Sequence, residues 1–151
     1  RTHFARYLVE AGHCRDVKSV FKRYLAKGKP GYVPHQWAAL SEAISWITGA
    51  GGIAIIAHPG RYMVGKHSMG KKTMQELLAE FVALGGGALE VVTGSHSQEQ
   101  YAEFARYAEQ FNLLASCGSD FHGPQESYRD LGRLPDLPLI CRPVWTQLGV
   151  Q

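Results

Sequence analysis

The sequence is poor in cysteine and has no paired-cysteine motif. Its three cysteines, Cys14, Cys117 and Cys141, are far apart and odd in number, which indicates neither a disulfide framework nor a zinc knuckle. No apolar run approaches the roughly 18 residues that a membrane-spanning helix needs, and no signal-peptide pattern opens the chain. We therefore expect a reducing, cytoplasmic setting without a membrane partner, and no feature points to a stable protein partner.

The sequence also lacks a strong excess of charge. Its 151 residues are 45% hydrophobic and 19% charged, with a formal net charge of +3, which is the composition of a soluble domain with a buried core. Because the basic residues form no run, the charge argues against a surface that coats nucleic acid and suits a small anionic substrate. The first residue is Arg1 rather than Met, so we expect a piece of a longer protein.

The beginning of the chain is predicted to be helical. Apolar positions recur at helical spacing in two runs, with Thr2 and Asp16 as the expected N-caps. Residues 27–34 then contain two prolines and two glycines, which favour an extended connector. These patterns divide the chain into a helical segment, 1–34, and a second part, 35–151.

Strands and helices alternate in the second part. Three short apolar runs are separated by amphipathic helical patterns, a spacing typical of right-handed β-α-β units in a parallel sheet or barrel; these runs are 53–57, 88–92 and 113–117. The first of them is apolar throughout, which predicts a strand buried on both faces. A later apolar piece, 137–141, is a candidate for one more strand.

Polar residues follow each predicted strand at its carboxyl end, where ligands gather in parallel α/β folds. His58 follows the first strand, the loop 93–96 the second, and Asp120 and His122 the third. Asp and His at i and i+2 point to the same side of an extended chain, so a carboxylate oxygen and a ring nitrogen can converge on one ion. Such ligands suit zinc, manganese or iron, and more than one ion would hold a hydroxide for attack on phosphorus.

Several other polar residues keep two interpretations. His96 is more readily explained as a capped or solvated side chain than as a ligand. Glu90, inside the second strand, either points into a barrel or pairs with an arginine. Arginine can grip phosphate oxygens bidentately and lysine as a point charge, and the alternative for each cation is a solvated surface charge. The candidates for phosphate contacts are Arg1, Arg6, Lys29 and Arg61.

The motifs Ala57-His58-Pro59-Gly60 and Gly118-Ser119-Asp120-Phe121-His122-Gly123 resemble two motifs of the PHP (polymerase and histidinol phosphatase) domain. Three further stretches resemble its bacterial 3′,5′-nucleoside bisphosphate phosphatase branch, namely residues 2–6, 29–34 and 52–62. This resemblance implies an α/β fold, the carboxyl-terminal part of a distorted (β/α)7 barrel. Residues 1–34 would be a small helical insertion that closes over the substrate.

The same resemblance implies an activity and a set of site residues. It implies a metal-dependent phosphoesterase that hydrolyses phosphomonoesters of small nucleotides, with two or three divalent ions, manganese, iron or zinc, in the whole protein. Some members of the branch also trim RNA ends, which adds RNA as an alternative partner. The implied metal ligands are His58, Asp120 and His122, and the implied substrate contacts are Arg1, His3, Arg6, Lys29 and Arg61.

The upstream motifs of that family, a His-x-His, a His-Asp and a glutamate ligand, do not occur in this sequence. The remaining three ligands are fewer than the family uses, so we expect a carboxyl-terminal fragment without a complete multinuclear site of its own. Two other hypotheses stand beside the phosphoesterase: a non-catalytic nucleotide-binding module, and an amidohydrolase-like metal hydrolase that acts on C–N bonds.

Overall fold

The chain consists of two compact units, Arg1–Ala38 and Ala39–Gln151. Each unit has its own cluster of buried apolar side chains. The computed structural model describes residues 1–34, 36–63, 72–124, 127 and 129–149. In this part of the chain, no helix is both long and apolar enough to span a membrane.

The first unit is a pair of helices. Helix α1 spans Thr2–Glu10, and helix α2 spans Val17–Val20 and continues as a π-helical turn over Phe21–Leu25. The helical spacing of the apolar residues places one side chain of each element in a common core. The buried members of this small core are Ala5, Val20 and Leu25.

The two predicted helix caps of the first unit have different outcomes. The Asp16 cap is confirmed, because its Oδ1 accepts a hydrogen bond from the Ser19 N–H at 2.7 Å. The Thr2 cap is wrong, because Arg1 occupies the N-cap position and Thr2 is already helical. The Arg1 carbonyl accepts the first helical hydrogen bond, from the Ala5 N–H at 3.0 Å, so the helix begins one residue earlier than the cap pattern predicts.

The second unit is an α/β structure around a small parallel sheet. Its strands are β1, Ile55–Ile56; β2, Ala88–Thr93; and β3, Leu114–Gly118. Its helices are α3, Leu40–Gly49; α4, Gly60–Met63; α5, Met74–Ala83; and α6, Gln98–Gln110, followed by a 3₁₀ helix over Val144–Leu148. The strand order is β1-β2-β3 and both pairs are parallel. The predicted alternation of parallel strands and helices is therefore confirmed.

Strand β2 lies in the middle of this sheet. Leu89 and Val91 of β2 are fully buried, and helix α6 contributes Phe104 and Ala108 to the same core. Because β2 has a parallel neighbour on each side, the loops that leave the three strands emerge at the same edge of the sheet. The predicted metal ligands, His58, Asp120 and His122, lie in these loops, and Arg61 lies in α4.

Strand β1 is shorter and more exposed than predicted. Only Ile55–Ile56 of the apolar run 53–57 forms a strand, and Ile55 is 39% exposed. In the described residues β1 pairs with β2 alone, so one of its sides has no neighbouring strand there. The predicted burial on both faces is wrong, because Ile55 of β1 lines an open, mostly apolar depression.

The predicted strand at 137–141 is also wrong. No strand forms there in the described chain; the segment instead leads to a single parallel bridge between Pro143 and Ala115 of β3. Pro138 and Pro143 have no backbone N–H to donate to a ladder. Proline content therefore outweighs the apolar character of this segment.

Candidate strand-end site

His58 lies at the carboxyl end of β1 in an unusual backbone conformation. Its φ of 34° places it in the left-handed region, which is uncommon for any residue other than glycine. Its backbone N–H donates a hydrogen bond to Glu90 Oε2 at 2.5 Å, and its ring meets Tyr62 edge-on with 5.7 Å between centroids. His58 Nδ1 is buried without a hydrogen-bond partner among the described residues.

Asp120 and His122 lie just beyond β3 and are in contact with each other. His122 Nε2 is 3.2 Å from Asp120 Oδ1, and the His122 backbone N–H donates to Ser127 Oγ at 2.6 Å. The extended backbone expected for this pair is wrong, because β3 ends at Gly118 and Asp120 has a left-handed φ of 54°. The two side chains converge through a turn and not through the alternation of a strand.

Arg61 connects the loops that follow β1 and β3. It lies in α4, and its Nη1 donates to Asp120 Oδ2 at 2.8 Å. The Arg61 side chain is half exposed, so water screens much of this attraction and the pair adds little stability. Its geometry instead leaves a guanidinium beside the Asp120 carboxylate, open to an anionic ligand.

The donor atoms fit a divalent metal in their chemistry and only in part in their arrangement. Carboxylate oxygen and imidazole nitrogen are ligands for zinc, manganese and iron, and the unpartnered Nδ1 of His58 is a further donor. Within the described residues, however, no three or more His, Cys, Asp or Glu side chains are grouped to hold one ion. The structure joins Asp120 to His122, and the ligand role of all three residues stays a prediction.

Glu90 belongs to this site, although the sequence pattern left its role open. It is a half-buried carboxylate in the central strand, and its Oε2 accepts the His58 N–H rather than pairing with an arginine. Burial raises the pKa of the Glu90 carboxyl, the hydrogen bond from His58 opposes this, and the nearby Asp120 raises the pKa further. The signal in the sequence was an acidic residue inside an otherwise apolar strand.

His96 is held in place by two hydrogen bonds within the second unit. It is buried, and its Nε2 accepts a hydrogen bond from the Gly60 N–H at 2.9 Å. Its other ring nitrogen, Nδ1, must then carry the proton, which it donates to the Val91 carbonyl at 3.0 Å. Burial is the main cause that lowers the His96 pKa, so the ring stays neutral and both nitrogens are used by the fold.

The remaining predicted contacts lie in the first unit. The Arg1 guanidinium lies 5.3 Å from the centroid of the Tyr32 ring, and its Nη2 donates to the Val33 carbonyl at 3.0 Å. His3 is exposed on α1 and Arg6 is partly buried, while Lys29 lines an open depression of about 1040 Å³. Their role as substrate contacts stays a prediction.

These features define an α/β protein with a polar, partly charged site at the carboxyl edge of a small parallel sheet. No protein-family model matches the chain. A 3′,5′-nucleoside bisphosphate phosphatase from Chromobacterium violaceum is 53% identical over 148 residues, which are 98% of this chain and 50% of the relative. A 5′-3′ exoribonuclease from Escherichia coli is 43% identical over 145 residues, which are 96% of this chain and 47% of the relative.

Two solved structures are also similar. One, described as an amidohydrolase from Chromobacterium violaceum with bound sulfate and no metal, has 51% sequence identity and a TM-score of 0.78 over 99% of this chain and 50% of its own. A metal-dependent phosphoesterase from Bifidobacterium adolescentis, at 24% identity, shares the fold with a TM-score of 0.69 over 99% of this chain and 48% of its own.

The chain spans about half the length of these two curated relatives. The resemblance to the bacterial 3′,5′-nucleoside bisphosphate phosphatase branch, drawn from residues 2–6, 29–34 and 52–62, is confirmed by these similarities. The expectation that this sequence is part of a longer protein agrees with the same coverage.

Proposed function

We propose that this chain is the carboxyl-terminal part of a metal-dependent phosphoesterase that hydrolyses phosphomonoesters of small nucleotides, of the 3′,5′-nucleoside bisphosphate type. The observation that carries this proposal is the contact of Arg61, Asp120 and His122 at the strand ends. A carboxylate and an imidazole suit a metal ion, and an adjacent guanidinium suits a phosphate group. The relative from Chromobacterium violaceum, a phosphatase for such nucleotides, supports the choice of substrate.

Each residue has a distinct part in this proposal. His58, Asp120 and His122 would hold divalent manganese, iron or zinc, two or three ions in the whole protein. Bound metal supplies an activated water and a Lewis acid for phosphate ester hydrolysis. Arg61 would bind the substrate phosphate. Residues 1–34 would form a helical insertion of a distorted (β/α)7 barrel, with Arg1, His3, Arg6 and Lys29 as further substrate contacts.

The test is phosphate release from a 3′,5′-nucleoside bisphosphate by the full-length protein loaded with Mn²⁺. We expect Asp120→Asn and His122→Ala each to lower kcat/KM by more than about 100-fold. Removing a residue that only hydrogen-bonds a metal ligand costs about 10- to 100-fold in activity, and removing the ligand itself should cost more. Glu109→Gln, an acid-to-amide change at the exposed end of α6, is the matched control and should keep the wild-type rate. Wild-type rates in both strand-end variants would contradict the proposal.

The same assay separates the phosphoesterase from the other hypotheses. An amidohydrolase would instead turn over N-acyl amino acids or cyclic amides, so these belong in the substrate panel. A non-catalytic module would bind the nucleotide without releasing phosphate. Of the phosphatase and amidohydrolase reactions in this panel, we expect only phosphate release to occur and to depend on Asp120.

A second candidate substrate is an RNA end, and the charge of the first unit favours it. The first 38 residues contain eight of the 16 Lys and Arg residues and two of the 13 Asp and Glu residues, a net charge of +6, while the rest of the chain carries −3. The depression in the first unit is lined by four cations, Arg15, Lys22, Arg23 and Lys29. Several neighbouring cations can contact several phosphates of an RNA chain at once, whereas a single nucleotide offers few phosphates to contact.

A further inference from the structure

The backbone at His58 is held in a conformation that it would not adopt unaided. A left-handed φ is costly for a residue with a side chain and persists only where the surroundings enforce it. Pro59 follows directly, and proline disfavours helical conformations in the residue before it. A specific contact must therefore stabilise the turn at the end of β1, and the His58 N–H shows which one.

Glu90 supplies that contact from the neighbouring strand. Its Oε2 accepts the His58 N–H at 2.5 Å, across 32 residues of sequence. A carboxylate makes a stronger hydrogen bond to an amide than a neutral acceptor does. The bond is made to the backbone, so it restrains the main chain at His58 and uses neither ring nitrogen.

Gly118 of the neighbouring strand β3 lies next to the other oxygen of the Glu90 carboxylate, Oε1. A Cβ placed on Gly118 of β3 would lie 2.8 Å from Glu90 Oε1, closer than a side chain tolerates. Gly118 lies in a strand and has no left-handed φ, so backbone freedom does not explain this glycine. It leaves room for the Glu90 carboxylate between the ends of β1 and β3.

A second contact holds the same turn two residues further on. His96 Nε2 accepts the Gly60 N–H at 2.9 Å. Two side chains, one from β2 and one from the loop after it, thus fix two backbone amides in the segment that carries His58. The turn at the end of β1 is set by the central strand and not by β1 itself, which has only two residues in the sheet.

We propose that Glu90 is a positioning residue that holds His58 in its left-handed conformation through the backbone N–H, and so sets the main chain from which the imidazole projects at the end of β1. Glu90 acts through His58 and is not itself a metal ligand. The catalytic consequence rests on the proposed function, whereas the positioning does not. It can therefore be tested in metal-free protein without substrate.

Amide hydrogen exchange at His58, followed by NMR in the full-length metal-free protein, is the direct test. In Glu90→Ala we expect the His58 amide to exchange at least about tenfold faster, the effect of losing a hydrogen bond to a charged acceptor. Glu90→Gln keeps a carbonyl oxygen for the same amide and should retain most of the protection. Glu99→Ala, an equal loss of charge on the exposed start of α6, should change nothing.

Gly118→Ala disturbs the carboxylate without removing it and provides a second, independent variant. We expect it to speed exchange of the His58 amide in the wild-type background and to have no added effect in Glu90→Ala, since coupled residues give non-additive changes. Gly49→Ala is the control, because a Cβ there meets no atom within 4 Å. Additive effects of Gly118→Ala and Glu90→Ala would overturn the proposal.

Mn²⁺ affinity, measured by calorimetry on the same proteins, separates positioning from ligation. A positioning role predicts weaker binding in Glu90→Ala, by about 10- to 100-fold, and near wild-type binding in Glu90→Gln. An equal loss in both variants would make Glu90 a ligand and overturn the proposal. Unchanged exchange at His58 in Glu90→Ala and Gly118→Ala would overturn it whether or not the protein is a phosphoesterase.

Discussion

The two units present their candidate residues in different ways. In the second unit, Asp120 is hydrogen-bonded to Arg61 and lies beside His122, and Glu90 and His96 fix the turn that carries His58. In the first unit, the candidates are side chains of a short helix and a connector, and the core of this unit has three buried members among its described residues. The site residues of the second unit are therefore held by hydrogen bonds within the fold, whereas the candidates of the first unit form a positively charged surface.

This contrast predicts how substitutions divide between stability and binding. Changes at the turn after β1 disturb packed atoms, so they should lower the free energy of unfolding of the second unit. Changes of exposed cations in the first unit should leave stability within about 0.5 kcal/mol and alter only the affinity for anions. Three substitution experiments, from the largest expected effect to the smallest, can break or sharpen this comparison.

The largest effect is expected for Gly60→Ala. A Cβ at Gly60 would lie 2.7 Å from His96 Cδ2 and 2.7 Å from Gln100 Nε2, and the His96 ring cannot withdraw without losing its two hydrogen bonds. We expect a loss of about 1 to 3 kcal/mol in the free energy of unfolding, the usual cost of overpacking, measured by urea denaturation.

Two matched variants complete this experiment. Gly49→Ala, at the end of α3 with open space around the new methyl group, should be neutral or slightly stabilising. Lys29→Ala in the first unit should also be neutral. A Lys29 variant that is as unstable as Gly60→Ala would abolish the contrast between the two units.

The sequence predicted this contrast only in part. The positions of His58, Asp120 and His122 after parallel strands followed from the alternation of apolar runs, because β-α-β topology brings carboxyl ends to one edge. The hydrogen bond between His58 and Glu90 spans 32 residues. No local pattern encodes a contact over that distance, so it was not predicted.

The conformational errors have a common physical origin. Asp120 was expected to be extended, since two-residue alternation was assumed to continue beyond β3, but the chain turns there with a left-handed φ. The run 53–57 is expected to be buried because it is apolar, but a strand's burial depends on what packs against its faces, and Ile55 lines an open depression. Sequence periodicity indicates local conformational preference, whereas the end of a strand and the burial of its side chains depend on packing against distant parts of the chain.

An intermediate effect is expected from reversing charge in the first unit. Lys22 and Arg23 line the depression there and form no ion pair within the described residues. The double variant Lys22→Glu/Arg23→Glu should weaken binding of a labelled single-stranded oligoribonucleotide, measured by fluorescence anisotropy. Each lost phosphate contact should also reduce the slope of log affinity against log salt by about 0.7.

Arg106→Glu is a suitable control for that experiment, because it alters an exposed cation on α6 of the second unit. It should leave the salt slope unchanged, and phosphate release from a bisphosphate nucleotide should survive in both proteins. An unchanged slope in the double variant would mean that the positive charge of the first unit does not contact RNA, and would leave the small nucleotide as the better substrate.

The smallest effect is expected from the titration of His96. Burial lowers its pKa from the ordinary value of 6.5, with a further lowering by His58 and opposing contributions from the Val91 carbonyl and Glu103. Near and below pH 6.5, His96 therefore binds a proton more readily in the unfolded chain than in the folded chain. Its contribution to stability is present at higher pH and is lost as the pH falls through 6.5. Protonation would also remove the acceptor for the Gly60 N–H.

Urea denaturation of the metal-free protein between about pH 7.5 and 5.5 should show a steeper loss of stability in the wild type than in His96→Gln, which has no titrating ring. Parallel curves would show that the His96 ring can be protonated without leaving its site, and the turn at His58 would then depend on Glu90 alone.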